Sequence, residues 1–400
     1  MVGVDQAMSG ALDWAGSGLA YLTGSPDGTP DFSRAAVLAE ARRVSTDIAG
    51  LLGVEVDAAA MLAGRAAILG LTRRGRISAG GATRLLRTLD GWCAVALPRD
   101  DDVATLPALM EVDAVTGDPW EVLSRWTATR STDEVVDRAR LLDIAVAALG
   151  EAAAEPPTVR RCGTSAGPRR PDGLLVADLS SLWAGPLCGQ LLARAGAVVV
   201  KVESPSRPDG TRRGEPAFFD WMNAGKLSYC LDFDRESDAL HRLLDAADIV
   251  IEGSRPAALR RRGLTAEDLA GRKGRIWLRI RGYREQPDRP AFGDDAAVAG
   301  GLVGGGADGP LFCGDAIADP LTGLEAARAV GETLRRGGGE VVEVSMAQVA
   351  ARYAALTQSA DSDAPAESPP LPPAVPPASA LGADNAAVEL LVSERLCAPC

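Results

Sequence analysis

The sequence has few of the residue types that hold metals and redox cofactors. Of its 400 residues only one, His241, is a histidine, and aromatic residues make up 4%. The seven cysteines are scattered, and the one close pair, Cys397 and Cys400, ends the sequence. Such a pair binds zinc or acts in redox chemistry only with a second ligand pair or a βα context, and neither is visible. We therefore predict free thiols, no metal, no permanently bound cofactor and a purely structural His241.

Long apolar runs and an excess of basic residues are also lacking. No uncharged apolar run reaches membrane-spanning length, and the first residues lack the basic and apolar regions of a signal peptide. The formal net charge of -12 argues against nucleic acid, because binding to phosphates requires a net basic face. These observations predict a cytoplasmic protein with neither a membrane nor a nucleic acid as partner.

The composition divides the chain into four blocks. Residues 1–155 are rich in Ala and Leu and mostly helical in pattern, with helices expected at 32–52 and 135–148. Residues 156–172 are rich in Pro, Gly and Arg and read as a linker without regular structure. Residues 173–356 alternate apolar runs with amphipathic segments. Residues 357–400 form a Pro/Ala-rich tail, predicted to be largely disordered apart from a short helix at 386–396.

The third block has the pattern of a parallel sheet. Its strand candidates are continuous Val/Ile/Leu runs, which indicates burial on both faces, and they lie at 174–178, 198–202, 228–231, 249–252, 276–280 and 341–344. Helices are expected between them at 187–195, 237–246, 266–271 and 324–334. The predicted fold class is α/β: a doubly wound, mostly parallel sheet domain plus a smaller α+β domain. No G-x-G-x-x-G follows the first strand, so a nicotinamide enzyme is not expected.

Several short motifs in this block occur in a recognisable order. They are Leu-Leu-Val-Ala-Asp-Leu-Ser from residue 174, Trp-Ala-Gly-Pro from 183, Asn-Ala-Gly-Lys-Leu-Ser from 223, Asp-Ile-Val-Ile-Glu-Gly-Ser-Arg-Pro from 248 and Asp-Pro-Leu-Thr-Gly-Leu from 319. In this order they resemble the family III CoA transferases, the group of formyl-CoA transferase, carnitine CoA-transferase and α-methylacyl-CoA racemase. Gly253 and Ser254 depart from the Asn-Phe pair usual in that family.

The N-terminal block resembles parts that the family carries later in its sequence. Gly80-Gly81, followed by Leu-Asp-Gly-Trp-Cys-Ala-Val from residue 89, is similar to the Gly-rich loop and first strand of the family's small domain. The domain order therefore looks rearranged. By this resemblance Gly80 and Gly81 would form a mobile loop over the active site. An ordinary hairpin or helix cap explains the two glycines equally well.

The resemblance implies transfer of coenzyme A between an acyl-CoA thioester and a carboxylic acid, with CoA as co-substrate and a homodimer as the expected assembly. Asp319 matches the family's nucleophile, which forms a mixed anhydride and then an aspartyl-CoA thioester. Asp319 followed by Pro also fits a helix N-cap with Pro at the first helical position. Asp315 is the neighbouring alternative, but it does not align with the nucleophile, and a turn role is expected for it. Two other functions stay open: a 2-methylacyl-CoA racemase or isomerase, for which the racemase histidine is missing, and a non-catalytic CoA-binding relative.

The resemblance also implies a CoA site. The matching positions are Leu182, Ala184, Leu231, Ser254, Arg255 and Arg261. The last two belong to a basic segment, residues 253–289, with eleven Lys and Arg against four Asp and Glu, and the forked guanidinium group suits phosphate oxygens. A solvated helix face is the alternative for the arginines of residues 260–262. Trp183 would face the substrate, or else belong to the core.

Overall fold

The computed structural model describes residues 2–269, 272–359 and 362–397, and residues 2–8 by backbone alone. The strands are β1 (Thr83–Arg87), β2 (Trp92–Ala96), β3 (Ala145–Ala148), β4 (Thr158–Arg161), β5 (Leu175–Asp178), β6 (Val198–Glu203), β7 (Leu227–Cys230), β8 (Ile249–Glu252), β9 (Ile276–Arg281), β10 (Val303–Gly306), β11 (Gly309–Phe312) and β12 (Glu340–Ser345).

The helices before β5 are α1 (Val2–Gly16), α2 (Leu19–Leu22), α3 (Ala35–Leu52), α4 (Ala58–Leu69), α5 (Asp100–Ala104), α6 (Leu106–Met110), α7 (Pro119–Thr127) and α8 (Thr132–Leu141). Those after it are α9 (Ala184–Arg194), α10 (Pro216–Asn223), α11 (Ser237–Ala246), α12 (Pro256–Arg260), α13 (Gly293–Ala299), α14 (Ala318–Arg336), α15 (Met346–Ala354) and α16 (Asn385–Cys397), with a 3-10 turn at Gly210–Arg213.

The largest sheet has seven strands in the order β4-β12-β9-β8-β5-β6-β7. All neighbours are parallel except β4, which pairs antiparallel with β12 at the edge. The central strands β5 and β8 are buried along their whole length, because helices cover both faces of the sheet. The predicted fold class and the six predicted strands of the third block are confirmed. The predicted helix at 266–271 is wrong over 266–269, which are turns, and residues 270–271 lie outside the described ranges.

A smaller unit follows the α+β expectation. Strands β1, β2 and β3 form an antiparallel sheet, and helices α6, α7 and α8 pack on it around a separate apolar core. The expected helix at 135–148 is wrong in its second half, because residues 145–148 are β3. There Ala145–Ala148 pairs with Cys93–Ala96 of β2, so its apolar side chains are buried by a sheet neighbour rather than by a helix face.

The N-terminal block does not form one small domain, contrary to the expectation for residues 1–155. Apolar residues of α1 to α4 share a core with α9, α14 and the central strands of the large sheet. Helix α3 in particular packs against α14, where Gly331 leaves room for Leu51 and Leu52. Only the part after α4 belongs to the smaller unit.

The linker contains a strand that its composition does not predict. All four residues of β4 are exposed, so no apolar periodicity marks them. Their backbone pairs with β12 from Thr158–Glu343 to Arg161–Glu340. Edge strands of this kind pair through backbone hydrogen bonds, which any residue type can form. The sequence of side chains therefore does not indicate this strand.

The Pro-rich tail is extended but docked, which corrects the prediction of disorder. The Glu367 N–H donates to the Ala15 carbonyl at 3.1 Å, and the Ala378 N–H to Asp220 Oδ1 at 2.9 Å. The short terminal helix is confirmed as α16, whose Val388 and Val392 are buried in the core beside β7 and α11. No helix in the described part of the chain is long and apolar enough to cross a membrane.

Candidate active site

The candidate nucleophile lies where two helices approach each other. Asp319 occupies the first turn of α14, whose N-cap is Ile317, so Asp319 is not the N-cap expected as its alternative role. One turn later a Cβ on Gly323 would lie 2.8 Å from the Ala184 carbonyl oxygen. Glycine at this position therefore lets α14 approach the first residue of α9. Close packing of α14 against α9 thus explains the glycine in the Pro-Leu-Thr-Gly sequence that follows Asp319.

Two backbone N–H groups lie beside the Asp319 carboxylate. They belong to Ala184 and Gly293, the first residues of α9 and α13, and they favour its charged form and so lower its pKa. A Cβ on Gly293 would lie 2.5 Å from Asp319 Oδ2 and 2.3 Å from the Ala316 carbonyl oxygen, closer than real Cβ atoms approach. Gly293 is thus needed for the backbone to come this near the carboxylate.

Burial dominates the electrostatics of this carboxylate. Desolvation raises the pKa of Asp319 to about 7, with Asp294 adding to the shift and the Arg65 guanidinium opposing it. At neutral pH the group is therefore divided between acid and carboxylate, whereas an exposed aspartate is fully ionised. A pKa matched to the working pH is typical of catalytic groups.

Two further carboxyl groups lie around the same arginine. Asp315 accepts two hydrogen bonds from Arg65 Nη1, at 2.6 and 2.8 Å. Burial raises the pKa of Asp315, and the positive charge of Arg65 opposes this rise. Asp294 accepts from the Ala316 N–H at 3.0 Å and from the Thr83 hydroxyl at 3.3 Å. Burial and the charge of Asp315 raise the pKa of Asp294 to about 6. Asp294, Asp315, Asp319 and Arg65 are called the carboxylate cluster below.

Aromatic side chains and a glycine loop complete the surroundings of Arg65. Its guanidinium lies 5.6 Å from the ring centres of both Trp183 and Phe218. Trp183 is buried in the core, yet its Nε1 has no hydrogen-bond partner among the described residues. A Cβ on Gly80 would lie 3.7 Å from Arg65 Nη2. Gly81 has a φ of +85°, which glycine adopts without strain in the turn between Ser78 and Thr83.

The loop between β5 and α9 is fixed by buried charges. Leu182 has a φ of 71°, an uncommon value for a residue with a side chain, and its N–H donates to both carboxylate oxygens of Asp209 at 3.2 Å. Asp209 in turn pairs with Lys201 Nζ at 2.7 Å, and both side chains are buried. Lys201 also donates to the Ser180 carbonyl oxygen at 2.6 Å. This network explains the lysine in the buried strand β6, and it positions the loop that presents Ala184.

The remaining predicted CoA residues follow neighbouring strands of the sheet. Leu231 comes directly after β7 and is buried in the core that β7 shares with α11 and α16. Ser254 and Arg255 follow β8. Arg255 pairs with Asp143 at 2.8 Å. Arg261 is exposed at the end of α12. Because carboxyl ends of parallel strands meet at one edge of the sheet, these residues share that edge with the loop at Leu182. Of the predicted site residues, Gly80, Trp183 and Ala184 contact members of the carboxylate cluster. The contacts described above include none between the cluster and Leu231, Ser254, Arg255 or Arg261.

Most of the basic segment is neutralised within the chain. Eight of its eleven cationic side chains form ion pairs with carboxylates: Arg255, Arg262, Arg272, Arg275, Arg279, Arg281, Arg284 and Arg289. Among the described residues, Arg260, Arg261 and Lys273 have no such pair, and all three are exposed. The cations available to an anionic ligand are therefore far fewer than the sequence indicates.

Comparison with known proteins identifies the family. The model of "CoA-transferase family III" matches residues 172–391, more than half of the chain. The chain belongs to this family. It is 33% identical over 199 residues to the succinyl-CoA–D-citramalate CoA-transferase of Chloroflexus aurantiacus, which covers 45% of this chain and 50% of that protein. The succinate–glutarate CoA-transferase of Agrobacterium fabrum is 32% identical over 203 residues, with 44% and 51% covered.

Solved structures match over a similar part. A CAIB/BAIF family protein from Brucella suis is 31% identical with a TM-score of 0.42, covering 46% of this chain and 55% of that one. A hypothetical protein from Mycobacterium tuberculosis is also 31% identical, with a TM-score of 0.41 and coverage of 46% and 56%. The chain spans about half the length of the curated relatives it matches.

Sequence reasoning missed two members of the carboxylate cluster of this family III chain. Arg65 is the only charged residue of α4, an otherwise apolar helix, and a lone charge in such a helix is a signal that could have drawn attention to it. Asp294 lies in Phe-Gly-Asp-Asp-Ala-Ala from residue 292, which none of the matched motifs includes. Thr83 carried no signal, because a threonine in a strand is ordinary.

Proposed function

We propose that this protein transfers coenzyme A between an acyl-CoA thioester and a carboxylic acid, with Asp319 as nucleophile. The observation that supports it best is the setting of Asp319: a buried carboxyl group with a pKa of about 7, with two backbone N–H groups beside it in a family III chain. Burial removes the water shell that would otherwise quench a carboxylate nucleophile. The charge of Arg65 keeps a fraction of it ionised.

The proposed chemistry needs no other co-reactant. An Asp319 oxygen attacks the thioester carbon, the C–S bond breaks, and a mixed anhydride and CoA thiolate form. The thiolate then attacks the aspartyl carbon and releases the first acid as its carboxylate, which leaves an aspartyl-CoA thioester. An incoming carboxylate repeats these two steps in reverse and leaves as the new CoA ester, which restores Asp319.

The backbone donors beside Asp319 suit the second step. When the aspartyl carbonyl is attacked, negative charge develops on its oxygen, and the N–H groups of Ala184 and Gly293 are already close enough to this carboxyl group to favour its charged form. Preorganised backbone donors of this kind act as an oxyanion hole. Gly80, beside Arg65, would then cover the intermediate and exclude water from it.

We place the CoA nucleotide along the carboxyl edge of the sheet, with Arg261 as a phosphate ligand. Arg261 is exposed and forms no ion pair with a carboxylate of the described chain, whereas Arg255 is already engaged by Asp143. The backbone of Leu182 and Ala184, together with Ser254 and Leu231, would line the path between the phosphates and Asp319. A homodimer remains a prediction.

The deciding experiment is intact-protein mass spectrometry after incubation with succinyl-CoA as the first acyl donor of a small panel. A CoA-sized adduct is expected on the wild type and on Asp57→Asn, a control at an exposed helix N-cap. It should be absent from Asp319→Asn, because an amide is a poor nucleophile. Arg261→Gln should require roughly tenfold more acyl-CoA for the same adduct, as expected for one lost charge-assisted contact. An adduct that persists on Asp319→Asn would contradict the assignment.

A racemase is the second candidate, because Asp294, with a pKa of about 6, is a titratable neighbour of Asp319. Proton abstraction at Cα needs two such groups, one on each face. Incubating 2-methylbutanoyl-CoA in D2O separates the two functions. Deuterium at Cα without any protein adduct supports racemisation, and an adduct without deuterium supports transfer.

A further inference from the structure

An open cleft on the smaller unit lies outside the candidate active site. It is formed between strand β1 and helix α7, and its walls carry three arginines, Arg76, Arg84 and Arg125. The one acidic residue in these walls is Glu121. The cleft is therefore locally basic, although the whole chain has a formal net charge of -12.

Aromatic rings hold two of these guanidinium groups in place. Arg84 lies 4.7 Å from the ring centre of Trp120, and Arg76 lies 4.7 Å from that of Trp92. Stacking on an aromatic face orients a guanidinium group without using its N–H donors. The donors stay available at fixed positions.

None of the three arginines forms an ion pair within the described chain. Arg76 Nη2 donates to the Asp308 carbonyl oxygen, and Arg125 Nε to the Glu121 carbonyl oxygen at 3.3 Å. The Nε atoms of Arg76 and Arg84 are buried and have no hydrogen-bond partner there. Guanidinium groups without a carboxylate partner are ready donors for an anionic ligand. In contrast, eight of eleven cations in the basic segment have acidic partners.

The cleft faces away from the carboxylate cluster. Successive side chains of a strand point to opposite faces. Thr83 of β1 contacts Asp294 of the cluster, and the next residue, Arg84, stacks on Trp120 of α7. A ligand held by Arg84 and Arg125 would therefore lie on the other side of β1 from the reacting groups, whereas the Arg76 guanidinium stacks on Trp92, which shares the face of Thr83.

We infer that this cleft binds a phosphate-bearing small molecule through Arg84 and Arg125, with Arg76 adding positive charge at its edge. Three cationic residues against one carboxylate favour a ligand with two or more negative charges. The paired N–H donors of each fork fit two oxygens of one phosphate group. The inference does not depend on the proposed transfer reaction, since it concerns other residues and another ligand position.

The test is calorimetric titration of the full-length protein with inorganic pyrophosphate, then with ADP, at low and high salt. Pyrophosphate should bind, and Arg84→Gln and Arg125→Gln should each weaken its binding at least tenfold. Arg87→Gln, an exposed arginine of the same strand outside the cleft, should change the affinity less than twofold. ADP binding with the same variant pattern would assign the site to nucleotides, and pyrophosphate alone would assign it to smaller phosphates.

Other outcomes would overturn the inference. A lack of pyrophosphate binding would do so, as would a loss that follows Arg261→Gln instead, because the anion would then occupy the proposed CoA position. Tighter Arg84-dependent binding of succinate than of pyrophosphate would replace phosphate by carboxylate as the ligand. A change in oligomeric state on Arg84→Gln without pyrophosphate would make the cleft a protein interface. Thermal melting of each variant, with Arg84→Lys as a charge-preserving check, separates these effects from misfolding.

Discussion

At the scale of single residues, burial changes the chemistry that the amino-acid type alone implies. An aspartate at its ordinary pKa is fully ionised at neutral pH, which is the state in which it can act as a nucleophile. Desolvation instead raises its pKa to about 7, and that of Asp294 to about 6. The cluster keeps protons that the unfolded chain would release, so its charge depends on pH across the neutral range.

This shift has a consequence for stability. Between pH 4 and 7 the unfolded chain loses the Asp319 proton while the folded chain keeps it, so the contribution of Asp319 to the free energy of unfolding falls as the pH rises. A shift of about three units corresponds to an upper limit of about 4 kcal/mol. Asp319→Asn removes this loss. We expect the variant to gain stability relative to the wild type, by about 1–4 kcal/mol, on going from pH 4.5 to pH 8.

Urea unfolding at the two pH values, followed by far-UV circular dichroism, measures the difference. Asp294→Asn should show the same sign with a smaller size, since its pKa is raised less. Parallel pH curves for the wild type and Asp319→Asn would mean that the carboxyl group is ionised in the folded protein as it is in water.

At the scale of elements, the turn with Gly80 and Gly81 connects the two sequence halves. Its strand β1 reaches Asp294 through Thr83, and Gly80 lies beside Arg65. If this turn covers the reacting groups, a side chain at residue 80 should obstruct them. We expect Gly80→Leu to lower the rate of CoA transfer at least tenfold with little change in melting temperature.

Gly305→Leu is the matched control. Gly305 is exposed in β10, and nothing lies within 4 Å of the position its Cβ would take. Transfer rates of the control should stay within twofold of the wild type. Unchanged transfer by Gly80→Leu would favour the ordinary hairpin that the sequence left as the alternative.

The strands of the large sheet could be predicted, because a strand that is buried on both faces has a continuous run of apolar residues in the sequence. Asp319 and Ala184 were predicted through the resemblance to the family III CoA transferases, and both lie in the first turn of a helix. The edge strand β4 and the partner role of Arg65 could not be predicted. β4 pairs through its backbone alone, and Arg65 meets Asp315 across 250 residues of sequence. Contacts of that range depend on the assembled fold rather than on local pattern.

At the scale of the whole molecule, both ends of the chain are part of the central structure. Helices α1 to α4 share the core of the large sheet, and a Cβ on Gly18 would collide with Pro369 of the tail. The tail continues to Asp220 and then to β7, where the Asn385 side chain exchanges two 2.9 Å hydrogen bonds with the Cys230 backbone. A fragment limited to 173–356 therefore lacks apolar partners on both faces of its sheet, and we do not expect it to fold alone.

The docking of α16 can be tested with two positions of the same helix. Val388 is fully buried, whereas Leu390 is 62% exposed. Val388→Asp places a charge in an apolar core and removes a valine contribution of about 1.5–3 kcal/mol, so the free energy of unfolding should fall by at least that amount. Leu390→Asp adds the same charge on the solvent side and should be neutral within about 0.5 kcal/mol. Chemical denaturation of both variants provides the comparison. Equal stability of the two would restore the view of a dispensable tail, and a truncation after Leu356 would then have to remain folded as well.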